Sequence, residues 1–440
     1  MNVEQGHSGS SLAAPQRSRL LSLDWYRTLR GSSRHAFWAA FLGYALDAFD
    51  YQIFSFVLTA TAAAFGLTTG QSGLIATVTL VVSAFGGILA GVFADLIGRV
   101  RTLMLTIAVY SLFTFLSGLA PNYGFLLLFR SLQGLGFGGE WAAGAILIAE
   151  MADPAQRGRV LGMVQSSWAV GWGLALVAYT LVFSFFPASI AWRISFCLGI
   201  LPGLLTLYVR ARVPEPEVFV QTRAAEQQAA GGQVRSTRSS LLQIFQPDLL
   251  GRTLAATLLA IGAQGGYYAI FTWLPTFLKT VRHLSVVGSA PYLAVVIIGS
   301  FIGYVTSGYI NDWLGRRPTF AIYALCSAAL IFLYTQIPTG ANGLLLVLGA
   351  PLGFFASGIF SGFGSFLAEI FPSRARGAGQ GFCYNFGRGV GAFFPTIIGF
   401  LSAAIGLGGA IGFGACAYAL CLIALLLLPE TRGKRLVAVD

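Results

Sequence analysis

Charged side chains are scarce in this sequence of 440 residues, where they make up 10% of the chain against 56% for hydrophobic residues. A soluble protein carries roughly 25% charged residues. Soluble domains of about 150 residues each are therefore excluded, because 27 lysines and arginines and 16 aspartates and glutamates could not cover their surfaces. The apolar excess also excludes a disordered chain. It is typical of a polytopic membrane protein, whose lipid-facing surface is apolar as well.

Cysteine and histidine are also rare. The five cysteines lie in apolar stretches without a Cys-x-x-Cys pair, so we interpret them as small buried residues and exclude a disulfide framework. None of the three histidines lies well inside a hydrophobic run, so we expect no metal site and no cofactor. The net charge of +11 can signal nucleic-acid binding. The positions of the cations favour another reason, which follows from the membrane topology.

Twelve hydrophobic runs are long enough to cross a bilayer, which takes about 20 residues. The 35 residues before the first run are polar and contain five arginines, so we expect no cleavable signal peptide there. The expected spans are 36–65, 71–95, 102–120, 123–150, 159–184, 190–209, 252–278, 289–311, 319–337, 343–370, 377–404 and 408–428.

The distribution of cations predicts the orientation of these spans. With the N-terminus inside, the outer loops contain only Arg193, Lys279 and Arg282, and no acid. Apart from Arg130 and Arg388 within spans, every other cation then lies in an inner loop or tail. The positive-inside rule therefore predicts that both termini face the cytoplasm. We expect a monomer in a prokaryotic inner membrane, surrounded by lipid and without a nucleic-acid partner.

The longest polar stretch, 210–251, divides the spans into two sets of six. We interpret it as a cytoplasmic linker, either solvated or partly helical on the membrane surface. The expected segments are a cytoplasmic tail over 1–35, a first bundle over 36–209, the linker over 210–251, a second bundle over 252–428 and a cytoplasmic tail over 429–440.

A charged motif occurs once in each half of the chain, between the second and third span of that half. Internal repeats of this kind are how transporters build alternating access around a site near the middle of the membrane. The motif is Gly91-x-x-x-Asp95-x-x-Gly98-Arg99-x-Arg101 and then Gly308-x-x-x-Asp312-x-x-Gly315-Arg316-Arg317, and a further matched pair is Glu150 with Arg157 and Glu369 with Arg376.

The repeated motif resembles the signature of the major facilitator superfamily, and with twelve spans the resemblance covers residues from about 36 to 430. It implies an all-α membrane protein in which twelve helices form two pseudo-symmetric six-helix bundles. The charges of the motif lie at inner helix ends, where a cluster can hold one conformation and break in another. We therefore assign gating to the repeated residues. The alternative is a solvated turn that obeys the positive-inside rule.

Ionisable groups inside spans cost about 2.5–3.5 kcal/mol on insertion scales and are usually functional. Asp47 and Asp50 are three residues apart, so they share one helix face, and two such carboxylates cannot both ionise easily. With Arg130 and Glu140 on span four they predict a proton relay. The alternative is a static ion pair that joins spans one and four. In the repeat, neutral residues stand where the first half has Asp47 and Asp50, namely Gln264 and Tyr267.

Arg388 has no acid nearby in its own span, and its planar guanidinium suits a carboxylate. We therefore predict that it binds an anionic substrate. The alternatives are snorkelling of the side chain, or pairing with Glu369 or with helix carbonyls. Further candidates for the substrate site, each of which could equally pack or face lipid, are Gln264, Tyr267, Tyr268, Asn385, Tyr384, Gln165, Trp141, Trp168 and Trp273.

Arg130-x-x-x-Gly134-x-Gly136 is similar to the span-four motif of the superfamily, whose arginine is tied to proton transfer. The neighbouring Gly-Gly-Glu-Trp and the Asp-x-x-Asp of span one look like the sialate:proton symporters and their carboxylate-carrying relatives. That resemblance implies proton symport of sialic acid, lactate, pyruvate or a related acid. Aromatic-acid:proton symporters show a similar Asp-x-x-Asp, so that group stays open.

Other functions fit the sequence less well. A neutral sugar or polyol carries no negative charge for Arg388 to bind, so a porter of such substrates is disfavoured. Drug:proton antiporters typically show Gly-x-x-x-Gly-Pro in span five, whereas this span has Gly171-Trp-Gly173 without that proline. A membrane enzyme is disfavoured because the sequence shows neither a metal triad nor a histidine within a span.

Overall fold

The computed structural model of the protein describes Tyr26, Arg27, Leu29 and residues 31–151, 157–215, 242–372 and 375–432. Within these residues the side chains of Asp95, 141–143, 145–146, 148–151 and 157–159 are outside the description. The described residues form helices joined by short turns and contain no strand.

Among the described residues, six helices make up the first half of the chain. The sixth is interrupted by a 3₁₀ stretch, Leu198–Leu204, that contains Pro202 and so lacks one helical hydrogen bond. The helices are α1 (Ser32–Phe65), α2 (Thr69–Ile97), α3 (Arg99–Gly118), α4 (Tyr123–Met151), α5 (Arg157–Phe185) and α6 (Ala188–Arg212).

Six more helices make up the second half. The tenth contains a 3₁₀ stretch, Ile359–Gly362. The last two form one nearly continuous run, which Gly406 interrupts with a φ of 74° and a ψ of 160°. The helices are α7 (Pro247–Thr280), α8 (Val286–Leu314), α9 (Arg316–Gln336), α10 (Asn342–Ile370), α11 (376–405) and α12 (407–427).

The predicted architecture of twelve spanning helices is confirmed. Ten runs among the described residues are long and apolar enough to cross a bilayer, the last of them being α11 and α12 together, and α4 adds 29 residues. Most bounds differ from the prediction by three residues or fewer, but α1 begins at Ser32, four residues early, and α7 at Pro247, five residues early. Both helices extend past their apolar runs into polar residues, which hydropathy does not detect.

Most helix contacts lie within one half, and three pairs of helices join the two halves. In the first half α2 and α3 pack on α4, and α1 packs on α5, while in the second half α8 packs on α10 and α7 packs on α11 and α12. The halves meet where α2 packs on α11, α5 on α8 and α1 on α7. The hydrophobic core is continuous across this junction.

Contacts between the halves are close at the end of the molecule that the orientation prediction places outside. Thr69 Oγ1 on α2 donates a hydrogen bond of 2.7 Å to the carbonyl oxygen of Gly399 on α11. Ser402 Oγ lies 3.1 Å from the same Thr69 hydroxyl. Thr59 Oγ1 on α1 donates a 3.3 Å hydrogen bond to Thr276 Oγ1 on α7. These contacts close the predicted outer end of the junction.

Candidate functional site

One face of α1 arranges polar groups through the interior of the first half. Residues 43, 47, 50 and 54 are three or four positions apart and therefore share a helix face. We call the groups along this face the acid stripe. From the predicted inner side outward, the acid stripe contains Glu140 against Gly43, then Asp47, then Asp50, then Arg130 against Phe54.

Asp50 and Arg130 lie close to each other without a hydrogen bond between them. Thr114 Oγ1 of α3 donates a 3.0 Å hydrogen bond to Asp50 Oδ2. The Arg130 guanidinium lies over the rings of Phe54 and Phe196, 4.7 and 5.8 Å from their centroids. Its three nitrogens have no hydrogen-bond partner among the described residues, although its charge interacts with that of Asp50. A static ion pair at contact distance, the alternative to a relay, is therefore not formed here.

Asp47 and Glu140 form a second group of buried carboxylates. Their side chains are each 1% exposed, and their charges interact with each other. Asp47 Oδ1 and both carboxylate oxygens of Glu140 are without a hydrogen-bond partner in the described part of the chain. Asp47 also interacts electrostatically with Arg388 of the other half. Asp47 is thus the member of the acid stripe that interacts with the candidate substrate group.

A small cavity of about 20 Å³ lies between the halves. Eight of the ten residues around it are aromatic, and Gln165 and Arg388 are the other two. The sequence predicted Gln165, Tyr267, Tyr268, Tyr384, Arg388 and Trp168 at this site. It missed Tyr44, Phe137, Tyr304 and Phe360.

The cavity wall is held by hydrogen bonds within and across the halves. Trp168 Nε1 donates a 2.8 Å hydrogen bond to the Tyr267 hydroxyl, which joins α5 to α7. Gln165 Nε2 donates a 3.0 Å hydrogen bond to the Tyr44 hydroxyl on α1. Tyr44 comes three residues before Asp47 on the same helix, and this spacing was the signal that could have identified it.

Arg388 is the cation of this cavity. It is 5% exposed, and its guanidinium carbon lies 5.3 Å from the centroid of Tyr384 and 5.6 Å from that of Phe137. Its Nε has no hydrogen-bond partner within the described residues. The alternative pairing with Glu369 is not formed, because that carboxylate binds Arg316. Arg388 can therefore receive an anion from the cavity.

Three residues predicted for the substrate site lie elsewhere. Gln264 Nε2 donates a 2.9 Å hydrogen bond to the carbonyl oxygen of Tyr384, so it supports the wall from behind. Asn385 lies against Gly87 of α2 and donates to the carbonyl oxygen of Gly381. Trp273 Nε1 donates to the Pro395 carbonyl oxygen. Sequence spacing gave the depth of these residues but not the direction in which each side chain points.

The repeated charged motif forms a one-residue turn in each half. Gly98 joins α2 to α3 with φ 111° and ψ 159°, and Gly315 joins α8 to α9 with φ 103° and ψ 164°. This region of backbone conformation is essentially restricted to glycine. It allows the following helix to begin at once. The first backbone N–H groups of that helix can then donate hydrogen bonds to a capping group.

A carboxylate from the end of each half caps the helix that follows this turn. Glu215 accepts backbone N–H hydrogen bonds from Arg99, Val100 and Arg101 at 2.8–3.2 Å. Glu430 accepts them from Arg316 and Arg317, both at 2.9 Å. We call Glu215 and Glu430 the capping carboxylates. The sequence analysis missed them, although each follows a proline at the end of its half, in Val-Pro-Glu and Leu-Pro-Glu.

Hydrogen bonding shifts the acidity of Glu430. Burial by itself would raise the pKa of this carboxyl group. The backbone N–H donors of Arg316, Arg317, Arg432 and Thr431 favour the charged form and leave the pKa below its ordinary value. The cap is therefore ionised near neutral pH and complements the positive end of α9.

Three residues of the second half to which the sequence analysis assigned gating lie in contact with one another. Arg316 donates to Asp312 Oδ1 at 2.7 Å and to both oxygens of Glu369, at 2.9 and 3.2 Å. Thr431 Oγ1 also donates to Glu369. These contacts join α8, α9, α10 and the segment after α12, all of which belong to the same half. In this conformation the described part of the cluster braces one half and does not reach across to the other.

The remaining gating residues are described only in part. Arg99 donates a 2.7 Å hydrogen bond to the Ala94 carbonyl oxygen, and Arg376 Nε donates to that of Ala368 at 3.0 Å. A methyl group at Gly91 or Gly308 would meet no atom within 4 Å. The side chains of Asp95, Glu150, Arg157 and Trp141 lie outside the described residues.

Sequence comparison agrees with this architecture. The family model described as Major Facilitator Superfamily matches residues 40–342 and 295–439. The chain belongs to the major facilitator superfamily. It is a membrane transporter and not an enzyme, in agreement with the prediction, and its two pseudo-symmetric bundles are those of the superfamily.

Named relatives match this chain over almost its whole length. A probable 4-methylmuconolactone transporter of Cupriavidus pinatubonensis is 41% identical, with 93% of each chain covered. The cis,cis-muconate transport protein of Acinetobacter baylyi is 30% identical, over 92% of this chain and 94% of its own. The xylose transporter XylE from E. coli in an inward open conformation superimposes with a TM-score of 0.72 at 20% identity, covering 91% of this chain and 97% of its own. The structural similarity to XylE concerns the fold alone.

Proposed function

We propose that this protein is a secondary active transporter that carries a small organic acid anion together with a proton by alternating access. The observation on which this rests is Arg388, a buried guanidinium at the wall of an aromatic cavity between the halves, whose Nε has no hydrogen-bond partner among the described residues. A buried cation of this kind is stabilised by a carboxylate that accepts its hydrogen bonds. A neutral sugar would leave that charge uncompensated.

The lining of the cavity supports a flat, unsaturated or aromatic carboxylate. Tyr44, Tyr268, Tyr304, Phe137 and other rings supply apolar faces, with Gln165 the neutral polar group that lines the cavity. Rings of this kind bind planar apolar surface, whereas a substrate with many hydroxyl groups needs many hydrogen-bond partners. The names of the relatives, a methylmuconolactone and a muconate transporter, agree with this class. Lactate, pyruvate and sialic acid follow as alternatives.

The acid stripe supports proton coupling. Asp47, Asp50 and Glu140 are buried in the first half, and unpaired carboxylates in an apolar interior are most stable when protonated. Asp47 connects this group electrostatically to Arg388. We infer that protonation of Asp47 releases Arg388 for the substrate carboxylate, and that departure of the substrate returns the arginine to Asp47. The two ligands are thereby coupled.

Gating and topology complete the proposal. The motif residues around Gly98 and Gly315 brace the ends of α3 and α9, and rocking of the bundles 36–209 and 252–428 would open the cavity alternately to each side. Both termini face the cytoplasm of a prokaryotic cell in this scheme, with 210–251 as the linker. Alkaline phosphatase fused after residue 440 is expected to be inactive, and an active fusion would contradict this orientation.

The proposal is tested by proton flux into proteoliposomes that contain a pH-sensitive dye. Benzoate, cis,cis-muconate, lactate, sialic acid and xylose are added one at a time outside. Acidification with an acid and not with xylose supports symport and identifies the substrate class. Xylose counterflow without any response to the acids would contradict the anion assignment.

A further inference from the structure

Tyr110 on α3 lies deep in the first half because two helix backbones come close together. A methyl group at Gly136 of α4 would lie 2.6 Å from the backbone nitrogen of Tyr110 and 2.9 Å from its Cβ. No residue larger than glycine fits at 136 without displacing α3. This approach places the Tyr110 ring in the interior of the bundle, where the residue is 0% exposed.

The register of α3 places Tyr110 beside the carboxylates of α1. Thr114, four residues further along the same face, donates to Asp50 Oδ2. The helices α1 and α3 run in the same direction, so Tyr110 lies one turn further inward, close to the depth of Asp47. Tyr110 interacts electrostatically with Asp47, Asp50 and Glu140. It is thus the phenol that lies among all three acids.

Each of these groups has a buried polar atom without a hydrogen-bond partner among the described residues. The Tyr110 hydroxyl, Asp47 Oδ1, Asp50 Oδ1 and both Glu140 oxygens are buried and have no hydrogen-bond partner within the described chain. A buried polar atom without a partner is destabilising, and a water molecule between such groups removes that cost. A phenol donates and accepts at the same time, whereas an ionised carboxylate only accepts.

Within the described residues, the start of α6 also packs on α3, and its ionisable groups Arg193 and Cys197 lie against Gly118, about two turns outward from Tyr110. The acids that face Tyr110 come from α1 and α4, with Arg130 further outward against Phe54. The 3₁₀ stretch Leu198–Leu204 packs on α3 and contains no ionisable side chain in its sequence, Leu-Gly-Ile-Leu-Pro-Gly-Leu. The polar residues that follow it on α6 lie at the inner end of the helix.

We propose that the Tyr110 hydroxyl relays the transported proton between Asp50 and the Asp47–Glu140 pair. This rests on the proposed proton symport. The protonated Asp50 carboxyl gives its proton to the phenol oxygen, directly or through one water, as the phenol gives its own proton to the Asp47 carboxylate. One O–H bond breaks and one forms at the tyrosine, which stays neutral, and one proton moves in total. The reverse transfer resets the path.

The variant Tyr110→Phe tests this relay because it removes one oxygen and keeps the ring. Proton-driven uptake in proteoliposomes is expected to fall by at least about tenfold, since positioned proton-transfer groups contribute about 10²–10⁴ in rate. Substrate counterflow, in which no net proton transfer is needed, should stay within twofold of the unmodified protein. The matched control is Tyr323→Phe on α9, a buried phenol that packs on Phe354 and Phe355 in the other half.

The outcomes separate the relay from the proposed function. Unmodified protein without any substrate-dependent proton flux would contradict the symport itself. Proton flux in Tyr110→Phe equal to that of Tyr323→Phe would leave symport standing and overturn the relay. If counterflow also fails in Tyr110→Phe, 2,3-difluorotyrosine is incorporated at position 110, which keeps the packing and makes the phenol more acidic. A shifted pH profile of uptake then supports the relay, and an unchanged profile overturns it.

Discussion

The two buried arginines of the membrane interior have different surroundings and should have different roles. Arg130 lies within one half, over two phenylalanine rings and near Asp50. Arg388 lies between the halves, over Tyr384 and Phe137, at the wall of the cavity. The cavity is lined by Arg388 and not by Arg130. We therefore expect replacement of Arg388 to change affinity, and changes near Arg130 to alter proton coupling.

Arg388→Gln should weaken binding of the transported anion about 10- to 100-fold, because a hydrogen bond to a charged group contributes roughly 1.5–3 kcal/mol. Arg388→Lys keeps the charge but loses the planar fork, so a partial loss is expected. The measurement is the concentration dependence of counterflow in proteoliposomes. If counterflow by Arg388→Gln saturates at the same substrate concentration, and its thermal melt shows a folded protein, Arg388 does not belong to the substrate site.

Asp50→Asn should abolish the dependence of uptake on the pH gradient while counterflow continues. The amide keeps the shape of the side chain and can still accept from Thr114, so the packing of α1 on α3 is preserved. Initial uptake rates across a series of external pH values measure this effect. A pH profile that matches the unmodified protein would assign the proton to Asp47 and Glu140 alone.

Sequence spacing predicted the acid stripe well and the cavity only in part. Asp47 and Asp50 were identifiable because a carboxylate in an apolar run is costly wherever it points. Gln264 and Asn385 were placed at the right depth, yet their side chains support the wall or face α2. Phe137 and Tyr304 line the cavity but look like ordinary apolar residues in sequence. Which aromatic ring faces a cavity depends on how twelve helices rotate against each other, which local pattern does not encode.

At the scale of elements, the turn that follows α2 and the one that follows α8 are built alike. Each consists of one glycine in a backbone region closed to other residues, followed by a helix whose first N–H groups bind a carboxylate from the end of the same half. A single glycine therefore sets the angle between two spanning helices. The repeat was evident from the sequence, whereas the partners of its N–H groups lie more than 100 residues away and were not.

Gly315→Ala should destabilise the protein by roughly 1–3 kcal/mol, because alanine at φ 103° and ψ 164° is strained. The matched control is Gly308→Ala in the same motif, where a methyl group would meet no atom within 4 Å and the backbone is helical. That variant should be neutral or slightly stabilising. Thermal melts in detergent compare the two. Equal melting temperatures of the two variants would show that the turn accommodates alanine without a loss of stability.

Glu430→Gln should lower stability at neutral pH by roughly 0.5–2 kcal/mol, the usual range for loss of a helix cap. Because the folded pKa of Glu430 lies below its ordinary value of 4.5, the charged cap stabilises the protein fully above that pH. The contribution is lost as the pH falls through the folded pKa. The melting temperatures of variant and unmodified protein should therefore converge in acid, and a constant difference down to low pH would contradict an ionic cap. Glu215→Gln is the matched variant of the other half.

At the scale of the whole molecule, the halves are held together by hydroxyl groups at the predicted outer end and by aromatic rings around the cavity. Thr69, Thr59 and Ser402 make hydrogen bonds that cross between the halves or lie beside such a bond. Hydroxyl contacts of this kind exchange easily with water. They suit an interface that must separate in every transport cycle.

A disulfide at this interface should trap the closed outer end. In Thr69→Cys with Ser402→Cys the new thiols replace hydroxyl oxygens that are 3.1 Å apart. Oxidation is expected to stop uptake from outside and reductant to restore it. Each single-cysteine variant controls for the five native cysteines. Uptake that continues with the crosslink formed, as shown by a shift in gel mobility, would mean that this end need not open.

The caps also bear on the order of events during synthesis. The backbone N–H of Arg99 is bound by a glutamate made 116 residues later, and that of Arg316 by one made 114 residues later. Until residue 215 leaves the ribosome, the start of α3 lacks the carboxylate that caps it. We therefore expect each half to finish folding only when its own last residues have been synthesised. A nascent chain halted shortly before either glutamate should remain sensitive to the cell's membrane proteases.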